Sequence, residues 1–316
     1  YKHVDPCFGT DEDFRTLVKV LHDNDIRIIL DGVFNHSGTG FFAWQDILNN
    51  QEKSKYRSWY YDITFPVKDW KSEYTCFAYV KSMPKLNLDN EDAASYFADV
   101  GAYWINEYDV DGWRLDVANE VNKNFWRKFR RAVRFAKKDA LLIAEVWEDA
   151  QNWQTYDLFD SAMNYRFTYA CADFFALRSI EAKEFGERFS DMLMRYPSPV
   201  SSVQMNLLDS HDVERFLYTC GGDVRKQKIA AAVQMTLPGM PSIFAGDERA
   251  MNGRTEAEYR LPFLWSEGTE DDIERDDMTS WYKTLIDLRR NTNSLTSSSI
   301  AFYDVQNPSL LVYTRG

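Results

Sequence analysis

Apolar residues along the chain alternate between two periods, and the alternation sets the expected elements. Phe14, Leu17, Val18 and Leu21 recur at helical spacing behind a capping-box pattern from Thr10 to Asp13, and Asn24 and Asp25 close that helix. Ile26 to Phe34 is then an almost continuous apolar run rich in branched residues, the pattern of a strand buried on both faces. Phe97, Val100, Gly101, Trp104, Ile105 and Tyr108 mark one face of a second helix, and a strand over Val110–Val117 follows directly. Phe125, Phe129, Val133 and Ala136 predict the next helix, and Leu141–Trp147 the next strand. Phe159–Met163 is a weaker strand candidate. Phe174–Tyr196 is helical in pattern and is stopped by Pro197 and Pro199. Val203–Leu208 reads as a strand, Arg225–Thr236 as an alanine-rich helix and Pro241–Phe244 as a short strand. A polar acidic loop leads to a last amphipathic helix over Thr279–Arg290, basic at its end. Ser309–Tyr313 reads as the first strand of something further.

Strands near Ile28, Trp113, Ile143, Ala162, Met205 and Ile243, separated by helices, are the grammar of a parallel α/β protein. Ionisable residues gather at the C-terminal ends of at least four of them, where a (β/α)8 TIM barrel builds its active site. A closed barrel has eight strands, so about two are expected before Tyr1, and the chain reads as a truncated barrel. A doubly wound open sheet is the alternative, but no Gly-rich phosphate loop follows the first strand. The stretch 37–86 interrupts the alternation. It is polar and irregular, and it carries Trp44, Tyr56, Trp59, Tyr60, Tyr61, Phe65, Trp70, Tyr74, Phe77 and Tyr79. Long irregular insertions in compact domains are commonly functional. The expected organisation is a partial barrel start over 1–36, the insertion over 37–86, the rest of the barrel over 87–295 and the start of a C-terminal β domain over 296–316.

Composition narrows the partner. A net charge of −12 disfavours nucleic acid, which needs a basic surface, and disfavours an anionic membrane equally. A neutral partner suits it, and a 16% aromatic content offers faces on which sugar rings stack. No run of 18 apolar residues and no signal peptide is present, though Tyr1-Lys2-His3-Val4-Asp5-Pro6 reads as the inside of a loop. Cys7, Cys76, Cys171 and Cys220 are scattered and read as free buried thiols, which leans towards a reducing, cytoplasmic setting.

The candidate chemistry centres on Asp111-Gly112-Trp113-Arg114-Leu115-Asp116-Val117-Ala118-Asn119-Glu120. Residues two apart in a strand point the same way, so Arg114 and Asp116 face one place. An arginine beside a carboxylate favours its ionised form. Taken alone, such a pair is more often a structural ion pair at a strand end. Two further carboxylates, Glu145 and Asp212, stand at strand ends with Trp147 and His211 as companions. Glycoside hydrolysis needs two carboxyl groups, one acting on the leaving oxygen and one on the anomeric carbon.

In this order the blocks resemble the α-amylase family of glycoside hydrolases (glycoside hydrolase family 13). They are Asp31-Gly32-Val33-Phe34-Asn35-His36, Gly112-Trp113-Arg114-Leu115-Asp116, Glu145-Val146-Trp147 and Ser210-His211-Asp212. Met83-Pro84-Lys85-Leu86-Asn87 and the extension Val117-Ala118-Asn119-Glu120 resemble its neopullulanase, cyclomaltodextrinase and maltogenic amylase branch. The resemblance implies Asp116 as nucleophile, Glu145 as general acid/base and Asp212 as the third carboxylate, which grips the sugar being cleaved. It implies His36 and His211 as hydrogen-bonding partners of that sugar, and Arg114 as the residue that positions and ionises the nucleophile. Glu145, protonated when it donates, is expected in a less stabilising setting than Asp116. Asn119, Glu120 and Trp147 are implied to shape the acceptor side, Phe77 to stand near the cleft, and Glu256 and Arg260 to lie by the donor end.

The implied activity is retaining hydrolysis of α-1,4 bonds in cyclodextrins, pullulan, starch or maltodextrins. The branch also admits α-1,6 cleavage and transglycosylation. The 37–86 stretch corresponds to the family's domain B. No cofactor and no metal are expected within this chain, although members of the branch bind calcium in a part of the barrel expected before Tyr1. Homodimerisation through an N-terminal domain is likewise a property of the branch. Competing readings are a glucan-transferring or isomerising relative, and a non-catalytic binding or scaffold relative. The 316-residue piece alone is expected to show little or no turnover, because a barrel lacking two strands exposes two parallel edges.

Overall fold

The capping box at Thr10 forms as its residue types require. The Thr10 hydroxyl accepts from the Asp13 N–H at 3.1 Å, and the Asp13 carboxylate takes the Thr10 N–H at 2.8 Å. Helix α1 runs Asp11–Asp23 from this cap. The structure, a computed structural model, describes residues 1–68, 73–270 and 272–316. Trp70 of the aromatic stretch lies outside them. The chain divides into two compact units, 1–146 with 152–161, and 147–151 with 162–316.

In the first unit β1 (Ile29–Gly32), α2 (Phe42–Asn50), α3 (Glu91–Tyr108), β2 (Gly112–Leu115), α4 (Lys123–Ala136) and β3 (Leu141–Ala144) follow in order. The strands pair in parallel, β1 to β2 and β2 to β3, with Asp31 opposite Arg114 and Leu115 opposite Ala144. Phe97, Val100, Trp104, Ile105 and Tyr108 of α3 are buried, as are Phe125, Phe129 and Val133 of α4. Phe34 sits at the centre of this core, its ring 5.8 Å from Phe97 and 5.1 Å from Phe129. Gly101 lets α3 approach α4, since a Cβ there would meet the Phe129 ring at 2.4 Å. The 37–86 stretch belongs to this unit and, among its described residues, holds α2 and the short helical turns Gln51–Lys53, Arg57–Trp59 and Phe77–Tyr79.

One expectation fails here. β1 is shorter than the apolar run from Ile26 to Phe34 and is not buried on both faces, since Ile29 is 36% exposed and Asp31 is exposed as well. Among the described residues β1 has a partner on one side only, so its branched side chains are not covered as a central strand's would be.

The chain passes from one unit to the other at β4 (Ser161–Ala162). In the second unit α5 (Tyr165–Cys171) starts at an Asn164 cap and runs on as a π-turn to Leu177. The helix expected over Phe174–Tyr196 is therefore two pieces. Arg178 adopts a left-handed conformation (φ 55°) that ends the first, and α6 resumes at Ala182 and runs to Met194. β5 (Met205–Leu207) and β6 (Met240–Ser242) pair in parallel. The helix Val224–Thr236 lies between them in the chain, and the helix Asp272–Arg290 begins earlier than its apolar pattern suggested. Ser309–Tyr313 does not open a new sheet. It leads into β8 (Val312–Arg315), the second strand of an antiparallel hairpin whose first strand is β7 (Ile300–Tyr303). Phe167, Phe185, Phe189, Met278, Tyr282 and Leu285 form this unit's core, against which Phe302 and Tyr313 of the hairpin pack.

No helix among the described residues is long and apolar enough to cross a membrane. All four cysteines are free thiols, but only Cys171 and Cys220 are buried. Cys7 is exposed and Cys76 half-buried, so the expectation of four buried thiols holds for two.

Candidate active site

Arg114 gathers the first unit's candidate residues. From β2 its Nη1 donates to Asp31 Oδ1 at 2.7 Å and to Asp116 Oδ1 at 3.0 Å, while Nη2 faces Glu145 Oε1 at 2.7 Å. Each partner sits at or just past the C-terminal end of its own strand, because parallel pairing aligns those ends. Burial opposes the guanidinium charge, yet Asp31, Glu145 and Asp116 together hold its pKa above the ordinary value. It is cationic at any working pH.

The backbone fixes Glu145 closely. Its N–H donates to Leu115 O at 2.9 Å, and its carbonyl accepts the Ala118 N–H at 3.1 Å. Its side-chain Oε2 takes the Val117 N–H at 3.0 Å, and the side chain is 3% exposed. Val117 provides that N–H from a left-handed backbone, φ 44° and ψ 46°.

Asp116 differs from its expected setting. Burial pushes its carboxyl up to about 6; Arg114 pulls it down, and Glu145 and Asp31 push it up again. One cation shared among three carboxylates does not offset the loss of water around Asp116. Glu145 has a guanidinium nitrogen at one carboxyl oxygen and a backbone N–H at the other, and Asp116 has the second terminal nitrogen of the same guanidinium.

Asn119, Glu120, His36 and Phe77 lie in the same unit as Arg114. Lys85 Nζ donates to Glu120 O at 3.0 Å and Oε2 at 3.1 Å, and also to Asn35 Oδ1. His36 stacks on Phe77, rings 4.9 Å apart and 4° from parallel. Burial lowers the His36 pKa, with cationic Lys85 adding to it and Glu120 opposing. The imidazole is thus held neutral, ready to exchange hydrogen bonds with hydroxyls. Asn119 is exposed on the turn Ala118–Glu120.

The second unit carries the remaining candidates. Asp212 pairs with His211 Nε2 at 3.1 Å through Oδ2 and with Arg260 Nη2 at 3.0 Å through Oδ1. Arg260 Nη1 reaches Glu256 at 3.2 Å, so these four side chains form one continuous polar chain. Trp147 stacks on Tyr165, rings 4.6 Å apart. Among the described residues no group of three or more His, Cys, Asp or Glu is arranged to hold a metal ion.

Asp31, Lys85 and Tyr165 were not singled out from sequence as site residues. Asp31 and Lys85 lie inside motif blocks read there, and position at a strand end was the available signal for Asp31. Lys85, Val117 and Tyr165 have no such signal, since their roles arise from long-range contacts or from a backbone angle.

Residues 1–299 match the family model described as Alpha amylase, catalytic domain. The chain belongs to the alpha-amylase family. Its parallel strands are those of a (β/α)8 barrel. A solved structure of a cyclomaltodextrinase superposes with a TM-score of 0.94 at 39% identity, covering 99% of this chain and 54% of the other. A cyclomaltodextrinase of Geobacillus thermopakistaniensis (strain MAS1) is 42% identical over 317 residues, which is 100% of this chain and 53% of the relative. Neopullulanase 2 of Thermoactinomyces vulgaris is 43% identical over 302 residues, 95% of this chain and 51% of the relative. The chain thus spans about half the length of the curated relatives it matches.

Proposed function

We propose that the protein containing this chain is a retaining α-glucan hydrolase acting on cyclodextrins, pullulan, starch or maltodextrins. The observation that carries the reading is a single guanidinium holding two carboxyls from adjacent strand ends, Asp116 on Nη1 and Glu145 on Nη2. Retaining glycosidases place their carboxyl pair about 5–5.5 Å apart, and a pair sharing one guanidinium suits that closer class.

In this reading Asp116, ionised, attacks the anomeric carbon and forms a glycosyl ester as the bond to the leaving oxygen breaks. Protonated Glu145 gives that oxygen its proton. Glu145, now a carboxylate, takes a proton from water as the water oxygen displaces Asp116, and the anomeric configuration is restored. The proton on Glu145 must displace the grip of Arg114 or Val117, so donation is coupled to a shift of that carboxyl. Asp212 and His211 hold sugar hydroxyls, a role assigned by their motif. Glu120, anchored by Lys85, borders the acceptor, where a second sugar in place of water gives transglycosylation. The 37–86 stretch acts as the family's domain B, and the setting is cytoplasmic.

The test is Asp116→Asn in the full-length protein with β-cyclodextrin as substrate. Near wild-type hydrolysis by a folded variant would refute the assignment. Product analysis on maltotriose separates hydrolysis from transfer, and release of the α-anomer by NMR tests retention.

A further inference from the structure

Val117 stands between the two reacting carboxyls in the chain and has an unusual backbone. A β-branched residue at positive φ is an outlier, because its branched Cβ crowds the neighbouring carbonyls. Such strain persists only where the surroundings over-determine it. Here they do. Asp116 N–H donates to Gly32 O at 3.0 Å, Ala118 N–H to Glu145 O at 3.1 Å and Glu120 N–H to Val117 O at 3.0 Å. The indole of the buried Trp126 holds Ala118 O at 2.9 Å. Five residues of turn are thus pinned by β1, β3 and α4.

The left-handed residue changes where two successive N–H groups point. Had the chain stayed extended after Asp116, the Val117 and Ala118 N–H groups would face opposite sides of the strand. With Val117 left-handed, both point at the residue that follows β3: Ala118 at the Glu145 carbonyl and Val117 at its carboxylate. Arg114 holds the other carboxylate oxygen. We propose that Val117 is a positioning residue for catalysis: its strained backbone aims its N–H at Glu145 Oε2 and sets the height at which that carboxyl meets the leaving oxygen. The proposal rests on Glu145 being the acid/base.

Leaving-group dependence gives the test. In the full-length protein, 2-hydroxyisovalerate at position 117 replaces the amide by an ester and deletes the N–H alone. A leaving group that needs no proton, as in α-maltosyl fluoride, bypasses the acid, whereas a maltoside with a poorly leaving alkyl group does not. The ester variant is expected to lose roughly ten- to hundredfold in kcat/KM on the alkyl maltoside and under threefold on the fluoride. Equal losses on the two substrates in the ester variant would make the residue merely structural and overturn the proposal, as would no loss on either. Glu145→Gln serves as the control. If it too lost equally on both substrates, the acid/base assignment itself would fall, a result separate from the behaviour of the ester variant.

Discussion

Replacing Asp116 by asparagine removes a charge from a place where burial disfavours it, so the variant is expected to be more stable than the wild type although inactive. The carboxyl moves from 3.8 in the ordinary case to about 6 in the folded chain. That shift of about 2 units corresponds to roughly 3 kcal/mol. Below about pH 4 the group is protonated in both folded and unfolded chains, and the cost vanishes. Between about 4 and 6 the folded chain alone keeps the proton, so stability falls as pH rises. Above about 6 the ionised carboxylate costs the full amount. Asparagine keeps the shape and an acceptor for Arg114 but never carries the charge. The stability gain of Asp116→Asn over wild type is therefore expected to be about 1–3 kcal/mol at pH 8 and near zero at pH 4, allowing for relaxation around the amide. Urea denaturation of the full-length protein and its variant at the two pH values measures it. A variant less stable than wild type at pH 8, or an equal difference at both pH values, would show that Arg114 outweighs burial and refute the reasoning.

The same carboxyl should set the acidic limb of activity. As the nucleophile reacts ionised, kcat/KM is expected to rise with pH through about 6, and a profile flat from pH 4.5 to 7 would exclude Asp116 as its source. Arg114→Lys leaves one nitrogen where two terminal nitrogens serve three carboxylates, so a fall in kcat/KM of roughly a hundredfold is expected from cyclodextrin kinetics, with folding retained by circular dichroism. Gly112→Ala places a Cβ 2.2 Å from the Leu141 carbonyl oxygen in the paired β3 backbone, which cannot move aside. A loss of at least about 2–3 kcal/mol is expected in urea denaturation. In the second unit, Arg215 and Asp247 are each 2% exposed, and Arg215 Nη1 lies 3.3 Å from Asp247 Oδ1. Arg215→Met takes the buried cation away from the hydrogen-bonded Asp209–Asp247 carboxyl pair and is expected to cost about 3 kcal/mol, measured the same way.

How much of this was legible in the sequence depended on the range of the contact. The Thr10 cap and the α3 and α4 faces are local patterns, and they appear where the spacing put them. Arg114 and Asp116 share one side because strand geometry requires it. The two-piece helix was not legible, since no glycine or proline marks the left-handed turn at Arg178. The β7–β8 hairpin was not legible because Ile300–Tyr303 is short and its four residues, Ile, Ala, Phe and Tyr, show no alternation of apolar and polar types. The setting of Asp116 was missed for a different reason. Sequence shows one arginine beside one aspartate, while the protein divides that arginine among residues 31, 116 and 145, and no local pattern counts such sharing.

That sharing has an electrostatic consequence. Three acidic groups answer to one guanidinium, so this corner of the protein is short of positive charge before any substrate arrives. In the proposed reaction, a transition state that builds positive charge on a sugar ring would supply the missing counter-ion, and only at the moment the bond breaks. The neutral substrate and neutral product gain nothing from the imbalance. Attraction that exists for the intermediate charge distribution alone lowers a barrier without tightening the complexes on either side of it.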